Sequence, residues 1–319
     1  MTTITKKIKI SGVGIHSGLP VDMVVLPSKK YGIVFKRTDI KGSENILASF
    51  DNVGETKMRN TTVGKVPGAH VQTIEHFMAA LFLNGIDSAV IEINGSETPI
   101  LDGSAYEFYK MLKSVVGKKS PMKKIIVKKT IVARRNELIK QLPFFKRIKM
   151  FVLNHTIFRK GNGYVKLSPN SDGLKIDATL IYPDKIIGTQ SFSCLLDGSE
   201  KSVKNFVKDI SKSRTFGKYS EWEWLKAHGM ARGANEHNVI VLNTNGDGTL
   251  NKLFCPDEFV RHKIIDAVGD MFTSFGFVYG TLESVKGSHA LNNLVLRKLF
   301  SDKSNYEIVE EKTTKEKKK

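Results

Sequence analysis

Two cysteines in 319 residues leave little room for cysteine chemistry. Cys194 and Cys255 stand far apart and in no C-x-x-C pair, which excludes a disulfide framework and a cysteine-held zinc site and fits a reducing compartment. Long apolar runs are missing as well. The longest, "FMAALFL" at 77–83, is far too short to cross a bilayer, and "MTTITKKIKI" lacks the apolar stretch of a secretory signal. A soluble, cytoplasmic protein with no transmembrane segment is expected. No H-E-x-x-H is present, so the commonest zinc-peptidase pattern is absent. Acidic residues are in deficit: 32 Asp plus Glu face 50 Lys plus Arg, a net charge of +18. Such an excess either coats solvated faces or serves an anionic partner, namely nucleic acid, an acidic membrane face or a phosphorylated substrate. The basic residues are dispersed and form no recognised RNA or DNA module, so no nucleic-acid partner is expected. The charge alone leaves solvated faces, a phosphorylated substrate and at most a weak contact with an anionic membrane surface as open readings.

With 40% apolar residues the chain can bury one large core or two smaller ones, and two domains is the expected count. The first third alternates as strands do in "KKIKIS", "VDMVVLP" and "YGIVFKR", separated by Gly, Pro and Ser. A helix is expected over Val71–Leu83, a strand in "SAVIEING", and a second helix in "SAYEFYKMLKSVV" capped by Ser104. "GKKSPMKK" at 117–124 marks a domain boundary. Beyond it come strands in "IIVKKTIVA", "YVKLS", "LKIDATLIY", "NVIVLN" and "FVYGTLESV", and helices over 202–213, 220–228, 257–275 and 288–300. The division is therefore an N-terminal domain over 1–123, a C-terminal domain over 124–304 and a disordered lysine-rich tail over 305–319. "EHFMAAL" and "RHKIIDAV" echo one another, each placing a histidine near the start of an apolar helix.

In "EFVRHKIIDAVGDMF", residues 258–272, His262, Asp266 and Asp270 recur every four residues inside an apolar run. On a helix they share one face, so His262 and Asp266 can converge on one metal ion; a surface ion pair worth about 0.3–0.5 kcal/mol is the bland alternative. Zinc needs a third protein ligand. His76 is the best candidate, because it also opens an apolar helix and follows Glu75, a carboxylate placed to take a proton from a metal-held water without binding the metal. The competing reading is an exposed Glu-His pair at a helix start. His289 in "VKGSHALNN" can serve as an acid oriented by Asp270, and Lys263 and the Thr215 hydroxyl are candidate donors to developing negative charge.

These segments resemble a known family. "GVGIHSG" (12–18), "TIEHFMAAL" (73–81), "ETPILDGSA" (97–105), "SRTFG" (213–217), "EFVRHKIIDAVGD" (258–270) and "SHALNN" (288–293) are similar, in order, to the motifs of the zinc-dependent UDP-3-O-acyl-N-acetylglucosamine deacetylases of lipid A biosynthesis. The resemblance implies an α+β fold of two domains of similar topology, each a mixed or antiparallel sheet layered with helices, with the active site between them. It implies zinc held by His76, His262 and Asp266, a ligand set that also admits iron(II). Glu75 would be the general base. His289, positioned by Asp270, would be the protonated group that stabilises the oxyanion and serves the leaving amine. Thr215 would polarise the amide carbonyl, Lys263 would contact substrate, Phe216 would wall the sugar site, and His16 would line the cleft. The substrate would be a UDP-linked acylated glucosamine, acted on by a monomer.

The sequence departs from the family at three places: a long basic stretch over 134–149, Ser288 where glycine is usual, and His237 where an acidic residue is common. A zinc peptidase and a basic nucleic-acid-binding protein are the competing function classes.

Overall fold

The computed structural model describes residues 1–54, 60–140 and 163–310. Five strands from the first third form one sheet: β1 (Ile8–Val13), β2 (Pro20–Pro27), β3 (Gly32–Arg37), β4 (Ile46–Leu47) and, after a short hairpin of β5 (Val63–Gly64) with β6 (His70–Val71), β7 (Ser88–Ile93). Their order is β1-β2-β7-β3-β4, and only the β3–β7 pair is parallel. Alternation explains the inward face: in β2 Val21, Met23 and Val25 are buried while their neighbours are partly wet. Helices α1 (Glu75–Asn84) and α2 (Tyr106–Lys113) flank β7 in sequence.

The remainder builds a second sheet from β8 (Lys124–Val127), β9 (Ile131–Arg134), β10 (Tyr164–Pro169), β11 (Leu174–Ile181), β12 (Thr189–Leu196), β15 (Phe277–Val285) and β16 (Tyr306–Val309). Its spine runs β12-β11-β15-β10-β9, with β8 beside the first half of β15 and β16 on β8. A two-stranded parallel ribbon, β13 (Phe216–Lys218) with β14 (Ile240–Leu242), stands apart. The helices are α3 (Arg135–Lys140), α4 (Glu200–Asp209), α5 (Tyr219–Ala227), α6 (Glu258–Phe272) and α7 (His289–Phe300).

The two halves share a plan. In each, a central strand has a parallel neighbour on one side and an antiparallel neighbour on the other, β7 between β3 and β2, and β15 between β11 and β10. Each central strand is preceded by one helix and followed by another, α1 and α2 around β7, α6 and α7 around β15. The fold is therefore α+β in two layered halves, and α1 packs against α6 at the seam. All ten residues of α1 are buried, which suits a helix covered by its own sheet on one side and by α6 on the other. Phe77, Met78 and Leu81 lie wholly inside, each contributing about 1.5–3 kcal/mol of burial. The helices touch at Gly269, where a Cβ would stand 1.9 Å from the Glu75 carbonyl oxygen, so only glycine allows this crossing.

Several boundaries differ from the sequence expectations. The first helix begins at Glu75 rather than Val71, because His70–Val71 pair with Val63–Gly64 and Thr73 turns the chain at φ 61°. Ser104 lies one place before the helix cap, Ala105, although its hydroxyl still accepts from the Tyr106 N–H at 3.1 Å. "IIVKKTIVA" forms two strands, β8 and β9, that join different neighbours. The expected disordered tail gives way over Tyr306–Val309, which pairs antiparallel with β8 and gives that strand a second neighbour. Residues 311–319 and most of the basic stretch lie outside the described residues. The departure at Ser288 has a local explanation: it caps α7, its side chain accepting from the Leu291 N–H. No helix among the described residues is long and apolar enough to cross a membrane.

Candidate metal centre and active site

The seam between α1 and α6 brings together residues far apart in sequence. His76, in the first turn of α1, and His262 and Asp266, one turn apart on α6, place one donor atom each within 4.8 Å of one another, and all three are buried. His76 Nε2 lies 3.5 Å and His262 Nε2 3.4 Å from Asp266 Oδ1. His262 Nδ1 is 3.1 Å from the Ser213 carbonyl, which can only accept; Nδ1 therefore carries the hydrogen and Nε2 turns its lone pair to the centre. Burial drives the His262 pKa down to about 3, overriding the attraction of Asp266, so the ring is neutral. Burial opposes ionisation of Asp266, but His262, Lys263 and His289 hold its carboxyl well below the usual carboxylate range. Lys263 Nζ reaches Asp266 Oδ2 at 2.5 Å, and burial of that ammonium is outweighed by the pair, which raises its pKa.

Asp266 Oδ1 is the informative atom. It is buried with no hydrogen-bond partner within range, 3.5 Å from His76 Nε2 and 3.4 Å from His262 Nε2, the second of which presents a lone pair. A buried anionic oxygen beside the His262 lone pair and without a donor of its own is costly unless a cation sits there, so the three donors fit a divalent metal.

Beside these donors stand a buried carboxylate, Glu75, and a buried imidazole, His289. His289, at the start of α7, sets Nδ1 2.9 Å from Asp270 Oδ2 and Nε2 3.9 Å from Glu75 Oε1. Burial alone would lower the His289 pKa, yet Asp270, Glu75 and Asp266 lift it to about 9. Burial raises the Glu75 pKa against the pull of His289 and His76, which makes this carboxylate the more ready to accept a proton.

A cavity of about 450 Å³ opens from the centre, lined by Glu75, His76, His262, Lys263, Asp266 and His289 at one end. Thr215, Phe216 and His16 line the same cavity. Thr215 is held by its N–H to the Gly103 carbonyl at 2.9 Å, and the Phe216 ring meets that of His262 with centroids 6.2 Å apart. An apolar cluster of Ile15, Ile100, Ala231, Val239 and Val241, with Leu225 packed against it, forms one part of the lining. Nine of the ten residues singled out in the sequence thus line one space, and the tenth, Asp270, reaches it through His289, its Oδ2 2.9 Å from His289 Nδ1.

Four supporting residues escaped the sequence reading. Glu97 accepts from the His16 and Ser17 N–H groups and from the Ser17 and Thr73 hydroxyls, so it fixes the "GVGIHSG" loop. Arg214 and Glu258 form a buried ion pair at 2.9 Å that ties the "SRTFG" loop to the start of α6. Asn292 donates to Asp270 Oδ2 at 2.9 Å. Glu97, Arg214, Glu258 and Asn292 all stand inside the quoted motifs, so the signal was present; their partners were not visible.

A buried two-histidine, one-carboxylate centre between two α+β halves, flanked by a buried carboxylate and an imidazolium, fits a metal-dependent hydrolase. The profile of the LpxC family, UDP-3-O-acyl N-acetylglycosamine deacetylase, matches residues 1–301, and the chain belongs to that family. It is 36% identical over 314 residues to the UDP-3-O-acyl-N-acetylglucosamine deacetylase of a Nitratiruptor species, covering 98% of this chain and 94% of the relative. Enzymes of the same name from Campylobacter jejuni serotype O:2 and Neisseria meningitidis serogroup B are 35% and 34% identical, over 98% and 97% of this chain and 96% and 92% of theirs.

Proposed function

We propose that this chain hydrolyses the N-acetyl amide of UDP-3-O-acyl-N-acetylglucosamine, releasing acetate and the free amine, as a step of lipid A biosynthesis. The observation that carries the reading is the pairing of Glu75 Oε1 with His289 Nε2 at 3.9 Å beside the donor set of His76, His262 and Asp266. The metal would be zinc, with iron(II) acceptable to the same donors. When bound, it supplies a Lewis acid that polarises the amide carbonyl and acidifies a water.

The protein groups divide the remaining work. Glu75 takes the proton of the attacking water, favoured by the burial that raises its pKa. His289, carrying protons on both nitrogens, offers Nε2 to the oxyanion and then to the departing amine, while Asp270 holds Nδ1. The Thr215 hydroxyl helps polarise the carbonyl, and Lys263 adds positive charge near the developing anion. Phe216 and His16 wall the sugar. The apolar part of the cavity lining matches the acyl chain, and the basic excess matches the pyrophosphate.

We assign residues 1–123 and 124–309 as the two domains, the second running past the expected 304 because β16 pairs with β8, and each supplies ligands to the site. The acting form is taken as a cytoplasmic monomer, supported by a ligand set complete within one chain and by the lack of a membrane-crossing helix among the described residues. The +18 charge supports at most weak contact with an anionic bilayer.

The reading is tested by supplying the UDP-acyl sugar to protein reconstituted with one zinc per chain and following loss of the acetyl group by mass spectrometry. Stoichiometric acetate and amine support it. Cleavage of N-acetylated peptides with the sugar left intact would move the activity to a peptidase.

A further inference from the structure

Thr61 touches both halves of the catalytic pair. It is buried, and its N–H donates to Glu75 Oε2 at 2.9 Å while its hydroxyl donates to Asp270 Oδ1 at 2.5 Å and lies 3.2 Å from His289 Nδ1. The partners are 14, 209 and 228 residues away, on α1, α6 and α7 respectively.

The local fold is built to put Thr61 there. The β5–β6 hairpin turns the chain back so that residues 60–61 run beside 73–75. The Ile74 N–H donates to the Thr61 carbonyl at 3.3 Å, and Asn60 Nδ2 donates to the Thr73 hydroxyl at 3.0 Å. The Thr61 backbone is thus clamped to the start of α1, and its side chain extends across the seam to α6.

Resting on the roles given above to Glu75, His289 and Asp270, we propose that Thr61 is a positioning residue that sets the base and the acid of this reaction in fixed relation to one another. With Oε2 of Glu75 anchored by the amide, Oε1 is left to face His289 Nε2. With Oδ1 of Asp270 anchored by the hydroxyl, Oδ2 faces His289 Nδ1 and Asn292. A buried carboxylate held at both oxygens cannot rotate without losing a charge-assisted bond, so the imidazole it orients is held as well. Glycine or alanine would keep the amide anchor and lose the hydroxyl; serine keeps both.

Thr61→Val removes the hydroxyl at nearly constant shape, and Thr61→Ser restores it. The expected result is a fall in kcat of about 10- to 100-fold for Thr61→Val with metal content unchanged. KM should move less than about twofold, and Thr61→Ser should recover most of the loss, because the effect is on the transition state rather than on binding. Native kcat in Thr61→Val, equal losses in the two variants, or loss of metal from Thr61→Val overturns the role. Glu75→Gln is assayed alongside. If it keeps native kcat, the reading of Glu75 as base falls and the Thr61 role falls with it. If Glu75→Gln is inactive while Thr61→Val is native, the Thr61 role alone falls.

Discussion

His289 Nδ1 lies 2.9 Å from Asp270 Oδ2, and both residues are buried at the meeting of α7 with α6. This contact decides what the histidine can be. An imidazole with one nitrogen on a carboxylate and the other facing Glu75 and Asp266 keeps its proton, whereas His262, one turn from Asp266 but bonded to a carbonyl, is neutral. Two histidines in one cavity are thus held in opposite protonation states.

The His289 proton can be followed directly. In protein stripped of metal, its imidazole resonances should titrate with a pKa of about 9, raised from 6.5. A raised folded-state pKa means that this group's contribution to stability is complete below about 6.5 and is lost as pH rises through about 9. Asp270→Asn removes the largest of the raising influences and should shift the titration towards neutrality. Adding a divalent cation, a like charge close by, should also lower it. Titration near pH 6 in the unsubstituted metal-free protein would contradict the geometry described for Asp270.

Metal binding should depend steeply on the α6 ligands. His262→Ala leaves Asp266 Oδ1 with one nitrogen neighbour, and metal content after dialysis should fall from one per chain to a small fraction. Lys263→Ala leaves all three donors in place and should retain the metal. Equal retention by His262→Ala and Lys263→Ala would place the ion elsewhere.

The helix crossing makes a second prediction. Gly269→Ala inserts a methyl group where the Glu75 carbonyl stands, 1.9 Å from the new carbon, so α1 and α6 must separate. Overpacking of this kind costs about 1–3 kcal/mol, readable by urea unfolding. Because His76 rides on α1 and the other two ligands on α6, metal affinity should fall together with stability. Loss of stability with unchanged metal affinity would show that the two helices move as one.

Much of this site was legible in the sequence, for a simple reason. His262, Asp266 and Asp270 are spaced by a helical turn, so a local period already placed them on one face, and the His76 helix carries the same kind of signal. The supporting contacts were not legible, because they close over long separations. Nothing near Thr61 in "NTTV" announces a partner 209 residues away. β12 was missed because "TQSFSCLL" is an edge strand whose small polar residues give a weak apolar alternation, and its pairing with β11 is settled by register. β16 was lost to the charge of the residues around it, although "YEIV" alone has the composition to pair.

The Arg214–Glu258 pair tests how the "SRTFG" loop is held. Both side chains are buried, and Glu258 also accepts from the Arg214 and Phe254 N–H groups. Arg214→Ala leaves that carboxylate without its cation and should cost about 3–5 kcal/mol in unfolding free energy. The double variant Arg214→Met, Glu258→Leu should recover a good part of it, since no buried charge is left behind. A double variant no more stable than Arg214→Ala would mean that the pair's value lies in its geometry rather than in charge compensation.

The central claim is that Glu75 is the base of a metal-dependent deacetylation. Its most direct measurement is the rate of acetate release from UDP-3-O-acyl-N-acetylglucosamine by Glu75→Gln, with metal content determined on the same sample. The account predicts one metal per chain and a rate lower by about 10²- to 10⁴-fold than that of the unsubstituted protein. A fully metal-loaded Glu75→Gln that turns over at the native rate would contradict it.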